Sequence, residues 1–470
     1  MTCPRPTPQE RSPLRKLALL ASAGLLAGCA NFAPPHVRPA LPTASDYPAG
    51  YAGDQVPGQR ATEIRLAQFL VDPRLQALVS QALQRNRDLA VAVARIEEAR
   101  GLYRIQNADR LPTLDASSDV TASRQAGTTA TRSAVGVAVT GFELDFWGRV
   151  RNLSEAARSE YLATRQAERA FRLSLIRDVA SAYFASREAD ERIALADATV
   201  QSRREAVRIA KRRLDAGVTS ALDYRQSESL LTQAETEAAG LRLARAQSDN
   251  LLAVLIGGPV AGPLPPPLPL ARQTATPALA AGLPSELLVA RPDVLAAEER
   301  LRAARANIGA ARAAFFPTIS LTGAAGFAST ALGSLFSGDG LTWSFGPSIS
   351  LPLFNGGRNK ANLTVAQARE NIAVATYEVT VQAAFREVAD ALAGRQYYAR
   401  QVEAGTRGVT AARRIARLAR LRYREGVASY LEVLDAERTL FAAEQQLIQL
   451  RRAQADNLVA LYVALGGGAT

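Results

Sequence analysis

Two stretches of this chain, near 149–214 and 357–424, carry helix-forming residues for roughly 65 positions each, with no proline beyond the first turn. At 1.5 Å per residue each helix would be roughly 100 Å long, far longer than a compact domain needs, so each must find partners along its whole length. The two stretches belong to a duplication with a shift of 205 to 209 positions, too long a period for a solenoid. Leu111-Pro112-Thr113-Leu114 matches Phe316-Pro317-Thr318-Ile319, and Gly148-Arg149-Val150-Arg151-Asn152 falls on Asn355-Gly356-Gly357-Arg358-Asn359. Ala216-Gly217-Val218 matches Glu425-Gly426-Val427, and Ile256-Gly257-Gly258 matches Leu465-Gly466-Gly467. Each half therefore reads as helix, two strands, very long helix and shorter return helix. The helices fall near 87–110, 149–214 and 220–256, then near 292–315, 357–424 and 429–465, with a Gly- and Pro-rich linker from Gly258 to Pro269 between the halves.

By the same rise the return helices cover about 55 Å and the leading helices about 36 Å, so one of each nearly matches one long helix. That arithmetic suggests a wall of equal struts. In the last helix Leu434, Phe441, Ile448, Ala455 and Tyr462 recur every seven residues, beside Leu440, Leu447 and Leu461. A sustained seven-residue repeat implies left-handed supercoiling against a partner.

Between Phe315 and Asn355 the period changes to two. Leu341, Trp343, Phe345, Ile349, Leu351 and Leu353 alternate with Thr342, Ser344, Gly346, Ser348 and Ser350; Pro317, Ile319, Leu321, Ala325 and Phe327 alternate with polar or small residues. In the first half Val135, Val137 and Val139 alternate with small residues, but the parity flips after Gly141 to Phe142, Leu144 and Phe146, which predicts a bend or bulge at Gly141. A further strand is expected over 113–124. One apolar face with aromatics at its margins is the pattern of a transmembrane barrel, although the strands alone would also suit a soluble sandwich. Four strands cannot close a barrel, and open edges are not tolerated in lipid, so the chain must oligomerise if it inserts.

The formal net charge of +12 raises nucleic acid as a partner, and only Lys16, Lys211 and Lys360 among the 56 basic residues are lysines. The arginines are interleaved with acids, as in Glu298-Glu299-Arg300-Leu301-Arg302, which is the pattern of a solvated helix face; no nucleic acid is expected. His36 is the only histidine, and Cys3 and Cys29 are the only cysteines, so no His-based triad or His/Cys metal cluster is expected in the folded region. The chain does not read as an enzyme, and no catalytic or metal residues are assigned. Arg11, Arg15 and Lys16 precede an apolar run from Leu17 to Leu26, too short to span a bilayer but suited to a signal peptide. The run ends in Leu26-Ala27-Gly28-Cys29, which resembles a bacterial lipobox whose Cys carries a diacylglyceryl anchor. Beyond that covalent lipid on Cys29, no cofactor is expected. Ala30 follows, not the Asp of an inner-membrane retention signal, so sorting to the outer membrane is expected.

Ala290-Arg291-Pro292-Asp293-Val294, followed by Ala296, Glu298, Leu301, Ala310, Ala314 and Phe316-Pro317, resembles the signature that opens the second repeat of the outer-membrane factor family. These are the TolC-like and OprM-like trimeric efflux channels, here in their NodT-type lipoprotein branch, and the resemblance covers nearly the whole mature chain. It implies a mainly α fold with a β-barrel part: four transmembrane strands and long helical hairpins per chain, trimerising into a twelve-stranded barrel on a twelve-helix periplasmic tunnel. It also implies a periplasmic adaptor and an inner-membrane pump, of the RND type, as partners, together with outer-membrane lipid. Aligning on the turn glycines Gly217 and Gly426 places Asp223, Tyr423, Glu432 and Asp435 at positions resembling the family's constriction residues. A Tyr hydroxyl on a carboxylate is a charge-assisted bond that adaptor contacts could break, and rings of carboxylate would attract cations at the mouth. Where a family member carries Arg just after the turn glycine this chain has Ala428; Arg422 and Arg424 are the available substitutes. Asp223 and Glu432 also suit the capping of the return helices.

The expected organisation is a signal peptide over 1–28, a lipidated extended segment over 29–70, a first repeat over 71–258, a linker over 259–284 and a second repeat over 285–468. The expected function is passive conduction from a tripartite pump to the exterior. The alternatives are the outer duct of a type I secretion system and a periplasmic helical-hairpin lipoprotein.

Overall fold

The computed structural model describes residues 31–44, 47, 60–273 and 291–468. The expected signal peptide, Cys29, residues 274–284 of the expected linker and 285–290 of the expected second repeat lie outside the described residues. The main elements are α1 (Pro73–Arg85), α2 (Arg87–Ala108), β1 (Leu114–Gln125), β2 (Thr128–Glu143), α3 (Arg149–Asp215) and α4 (Ala221–Ile256). Then come α5 (Pro292–Ala313), β3 (Thr318–Ser329), β4 (Leu341–Ser350), α6 (Arg358–Arg424) and α7 (Tyr430–Ala464). The expected long helices appear as α3 and α6, 67 residues each. Helix α1 was not expected, although Asp72 caps its first turn through the Arg74 N–H at 2.8 Å and Pro73 occupies the first helical position. Among the described residues no helix is long and apolar enough to cross a membrane.

The chain forms two compact units, each drawing on both halves of the sequence. One comprises the described residues up to Pro39, Glu97–Ala163 and Glu298–Thr376, and holds an antiparallel sheet in the order β1-β2-β3-β4. The register sets Val135 opposite Phe327, Ala325 opposite Trp343 and Ile319 opposite Ile349, which gathers the apolar residues on one face. Gly136, Gly326, Ser344 and Ser348 line the other. Trp343 is 77% and Ile349 71% exposed, so among the described residues most of this apolar face is uncovered; Phe327 meets Phe336 edge-on with ring centroids 5.6 Å apart. A bulge falls between Val139 and Phe142, with Gly141 at φ +66° and its N–H on the Thr322 hydroxyl at 3.2 Å. The extra residue resets the alternation and returns Phe142 to the face of Leu321, its partner in β3. Past the strand, an Asp145 carboxylate oxygen accepts the Arg151 N–H at 2.7 Å and so caps the start of α3, while Arg149 pairs with Glu143. Trp147 donates to the Pro317 carbonyl at 2.7 Å and stacks on Phe316.

The other unit comprises Ala40–Ile96, Thr164–Ala297 and Tyr377–Thr470. Its core includes Phe69, Leu70, Leu75, Phe184, Ile256, Leu392, Leu461 and Tyr462, all fully or nearly fully buried. Tyr462 stacks on Phe69 with centroids 4.3 Å apart and donates to the Ile64 carbonyl at 2.7 Å. Of the seven-residue series in α7, Leu434, Ile448, Ala455 and Tyr462 are buried, and Phe441 is partly buried against a smaller cluster around Ala196 and Ala234. Asp72 also accepts from the Tyr183 hydroxyl at 2.8 Å and the Leu268 N–H at 2.9 Å, so one buried carboxylate joins α1, α3 and the linker. Arg291 of the signature is buried: it grips Asp293 with two nitrogens, reaches Glu387 at 2.7 Å and donates to the Ala464 carbonyl at the end of α7. A cation on the last carbonyls of a helix opposes its negative dipole end.

Candidate gate at the helical turns

Both long helices end by the same backbone device. At the first turn the Gly217 N–H reaches the Leu214 carbonyl at 2.9 Å and the Val218 N–H reaches Arg213 at 2.9 Å; at the second, Gly426 reaches Tyr423 at 3.1 Å and Val427 reaches Arg422 at 3.0 Å. Gly217 and Gly426 sit at φ +70° and +73°, the left-handed conformation that this closure requires and that favours glycine.

The side chains diverge from there. Asp223 accepts from the Thr219 hydroxyl at 2.8 Å and from the Ser220 N–H, while the Ser220 hydroxyl accepts the Asp223 N–H at 3.1 Å. This is a reciprocal capping box at the start of α4. The Thr219 hydroxyl, outweighing some desolvation, holds the Asp223 carboxyl below its ordinary value, with the Ser220 bonds and the nearby Arg213 charge acting in the same direction. Glu432 occupies the matching position of α7, but Ser429 makes no side-chain capping bond and Glu432 instead reaches back to Arg422 at 3.2 Å. Asp435 pairs with Arg438 at 2.6 Å on its own helix.

Tyr423 joins the two hairpins. Its hydroxyl accepts from Arg213 at 2.7 Å, and the Arg213 guanidinium lies 5.6 Å from the ring centroid. The ring is held from behind by Tyr430 at 5.0 Å, at the edge of an apolar knot of Ala416, Ala419, Val433 and Ala436. Burial pushes the Tyr430 hydroxyl up to about 12, so it stays neutral. The aromatic body is thus fixed by packing while its polar tip faces a cation on the other hairpin. Among the described residues no hydrogen bond joins Asp223 to Tyr423. The four residues marked in the sequence are all at the turns, but each of their links goes to an arginine or to a capping group.

Arg213 was not marked in the sequence. The repeat provides the signal: a shift of 209 sets Arg213 on Arg422 and Leu214 on Tyr423. Position 214 offers no hydroxyl, so Arg422 has no counterpart of the link that Arg213 makes, and it turns to Glu432 of its own hairpin.

A sheet whose apolar face is largely exposed, in a chain whose two long helices run to 67 residues each and end in matched glycine turns, has the elements of a membrane channel. The family model for outer membrane efflux protein matches residues 78–258 and 283–467. The chain is 42% identical over 454 residues to the solvent efflux pump outer membrane protein SrpC of Pseudomonas putida, covering 94% of this chain and 96% of the relative. It is likewise 42% identical over 466 residues to the outer membrane protein OprJ of Pseudomonas aeruginosa, covering 97% of each. The open-state outer membrane channel MtrE of Neisseria gonorrhoeae superposes with a TM-score of 0.87 at 39% identity, covering 93% of this chain and 98% of that one. The chain belongs to the outer membrane efflux protein family. It is an outer-membrane channel component of an efflux system and not an enzyme.

Proposed function

We propose that three copies of this chain form the outer-membrane duct of a tripartite efflux system, anchored by lipid on Cys29 and fed by a periplasmic adaptor and an RND-type pump. The observation that carries the assembly is the four-stranded sheet, whose β1 and β4 edges are unpaired among the described residues and whose apolar face is largely exposed. In lipid each unpaired backbone group costs several kcal/mol, so these edges must be closed by further copies. Full-length chain extracted in detergent should run as a trimer and conduct ions in planar bilayers; a monomer without conductance would overturn the reading. The same material labelled with palmitate tests the anchor: Cys29→Ser should lose all label, and retained label would remove Cys29 as the acylated residue.

In this reading the link from Arg213 to Tyr423 is a latch on the periplasmic mouth. It is accessible to solvent, so it is weak enough for adaptor contacts to break, and the packed Tyr423 ring makes it reform in one geometry. Glu432, Asp435 and Asp223 add carboxylates around the same mouth, where they would favour cations in transit.

A further inference from the structure

Residues 32–38 lie extended along one stripe of α5, formed by Glu298, Arg302, Arg305, Gly309 and Arg312 at alternating steps of four and three. From the strand end downward, Phe32 stacks on Phe316 with centroids 4.7 Å apart and its carbonyl accepts from Arg312 at 3.0 Å. Gly309 makes room for Ala33: a Cβ there would come within 2.8 Å of the Ala33 nitrogen and 2.6 Å of the Asn152 amide. Arg305 donates to the Val37 carbonyl at 2.7 Å and also holds Glu370 of α6 at 2.9 Å.

At the lower end sits Glu298, whose side chain is only 3% exposed. It takes His36 Nε2 at 3.0 Å, Arg38 Nε at 3.1 Å and Arg302 at 2.8 Å. His36 Nδ1 faces Arg305 at 3.3 Å, so the ring accepts there and carries its hydrogen on Nε2, toward Glu298. Burial raises the Glu298 carboxyl, but the hydrogen bonds from Arg38 and His36 and the Arg38 and Arg302 groups more than offset it and leave it below its ordinary value. Two of the three partners that make this buried charge tolerable therefore come from the N-terminal segment. Without them Glu298 would keep Arg302 alone, a costly arrangement for a carboxylate with little access to water.

We propose that residues 32–38 are a charge-keyed strap, docked on α5 through Glu298, that holds the acylation point Cys29 at the base of β3. Cys29 is three Cα steps from Phe32, so with the strap docked the chain can carry the anchor no further than ~10 Å from the Phe32 backbone; with the strap released as far as Arg38, nine steps would let it range over ~30 Å. The anchoring half of the inference rests on the lipoprotein reading above, whereas the docking half stands on the protein contacts alone.

The test places a nitroxide on Val37→Cys, an exposed site whose carbonyl contact is retained, in the full chain extracted in detergent. The parent should give an immobilised spectrum. Glu298→Gln should raise the mobile fraction about tenfold, the factor expected for loss of charge-assisted hydrogen bonds. His36→Ala with Arg38→Ala, which change the strap and leave α5 itself intact, should do the same, with trimer retention on a sizing column checking that the duct stays folded. A mobile parent spectrum, or no change in either variant, would overturn the strap. Palmitate labelling of the same samples separates the two readings: an unlabelled chain with an immobilised strap removes the lipid anchor and leaves the docking intact.

Discussion

The turn between α3 and α4 and the turn between α6 and α7 have the same backbone, with glycines within 3° in φ and matching pairs of hydrogen bonds, yet they spend equivalent side chains differently. The carboxylate at the third helical position closes a capping box in one and reaches back to an arginine in the other. The arginine before the glycine ties the two hairpins together in one and stays within its hairpin in the other. The duplicated turns differ at several positions, and two of those differences, Leu214 against Tyr423 and Ala221 against Tyr430, give only the second turn a packed hydroxyl for an arginine of the other hairpin. The asymmetry suits a latch, because one contact per chain can be released without loosening the end of either helix.

The backbone equivalence is the easiest part of this comparison to break. Gly217→Val and Gly426→Val should each cost about 1–3 kcal/mol of local stability from a β-branched residue held at positive φ, and by similar amounts at the two turns. Hydrogen exchange at the ends of α3 and α6 reads this directly; a free substitution at either turn would show that the two backbones are not under the same constraint. The arginines should differ instead. Arg213→Ala should raise the closed-state conductance of the duct by a factor of ~5, equivalent to roughly 1 kcal/mol of lost closure, whereas Arg422→Ala should leave it near the parent value. Equal leakage from both variants would mean that the link between hairpins does not hold the mouth. Tyr423→Phe, which keeps the ring and removes only the hydroxyl, should reproduce the Arg213→Ala phenotype.

Smaller effects separate the caps. Ser220→Ala should fray the start of α4 by about 1 kcal/mol, and Ser429→Ala, which removes no side-chain capping bond, should fray α7 by much less. The smallest effect is on pH. The Asp223 carboxyl lies below its ordinary value of 3.8, so its contribution is complete above that value and fades as pH falls through the lowered one. Exchange protection at the first turn of α4 should therefore decline in acid, and Asp223→Asn should abolish the decline; an identical acid response in that variant would assign the effect to another group.

The ends of the long helices were legible in sequence to within two residues, because glycine turns, missing prolines and the repeat all mark the same positions. The bulge was legible too, since only an extra residue reconciles Val135, Val137 and Val139 with Phe142. Helix α1 was legible and overlooked: Asp72-Pro73 opens it, and Leu75, Leu78, Val79 and Ala82 follow at helical spacing and are buried. Strand β2 starts at Thr128, seven residues before its apolar alternation, because Thr128 to Ala134 are held by ladder pairing with β1 and not by burial of an apolar face. At the two helical turns, the sequence located the residues but not their partners. Arg213 and Tyr423 are 210 positions apart, and nothing local to either records the other. The strap lay beyond local reading for the same reason: His36 sits in a proline-rich stretch that resembles any surface segment until Glu298 is brought to it.

The bulge at Gly141 acts on β2 as a change of reading frame. Upstream of it the odd-numbered residues share the apolar face and downstream the even-numbered ones do, because the one extra residue between Val139 and Phe142 shifts the alternation by a single step. Deleting Thr140 alone would remove the extra residue and leave Val139 and Phe142 two regular steps apart, still opposite Gly323 and Leu321, so the bulge would vanish while the apolar face kept its direction; deleting a residue elsewhere in β2 with the bulge retained would turn one segment over against the other.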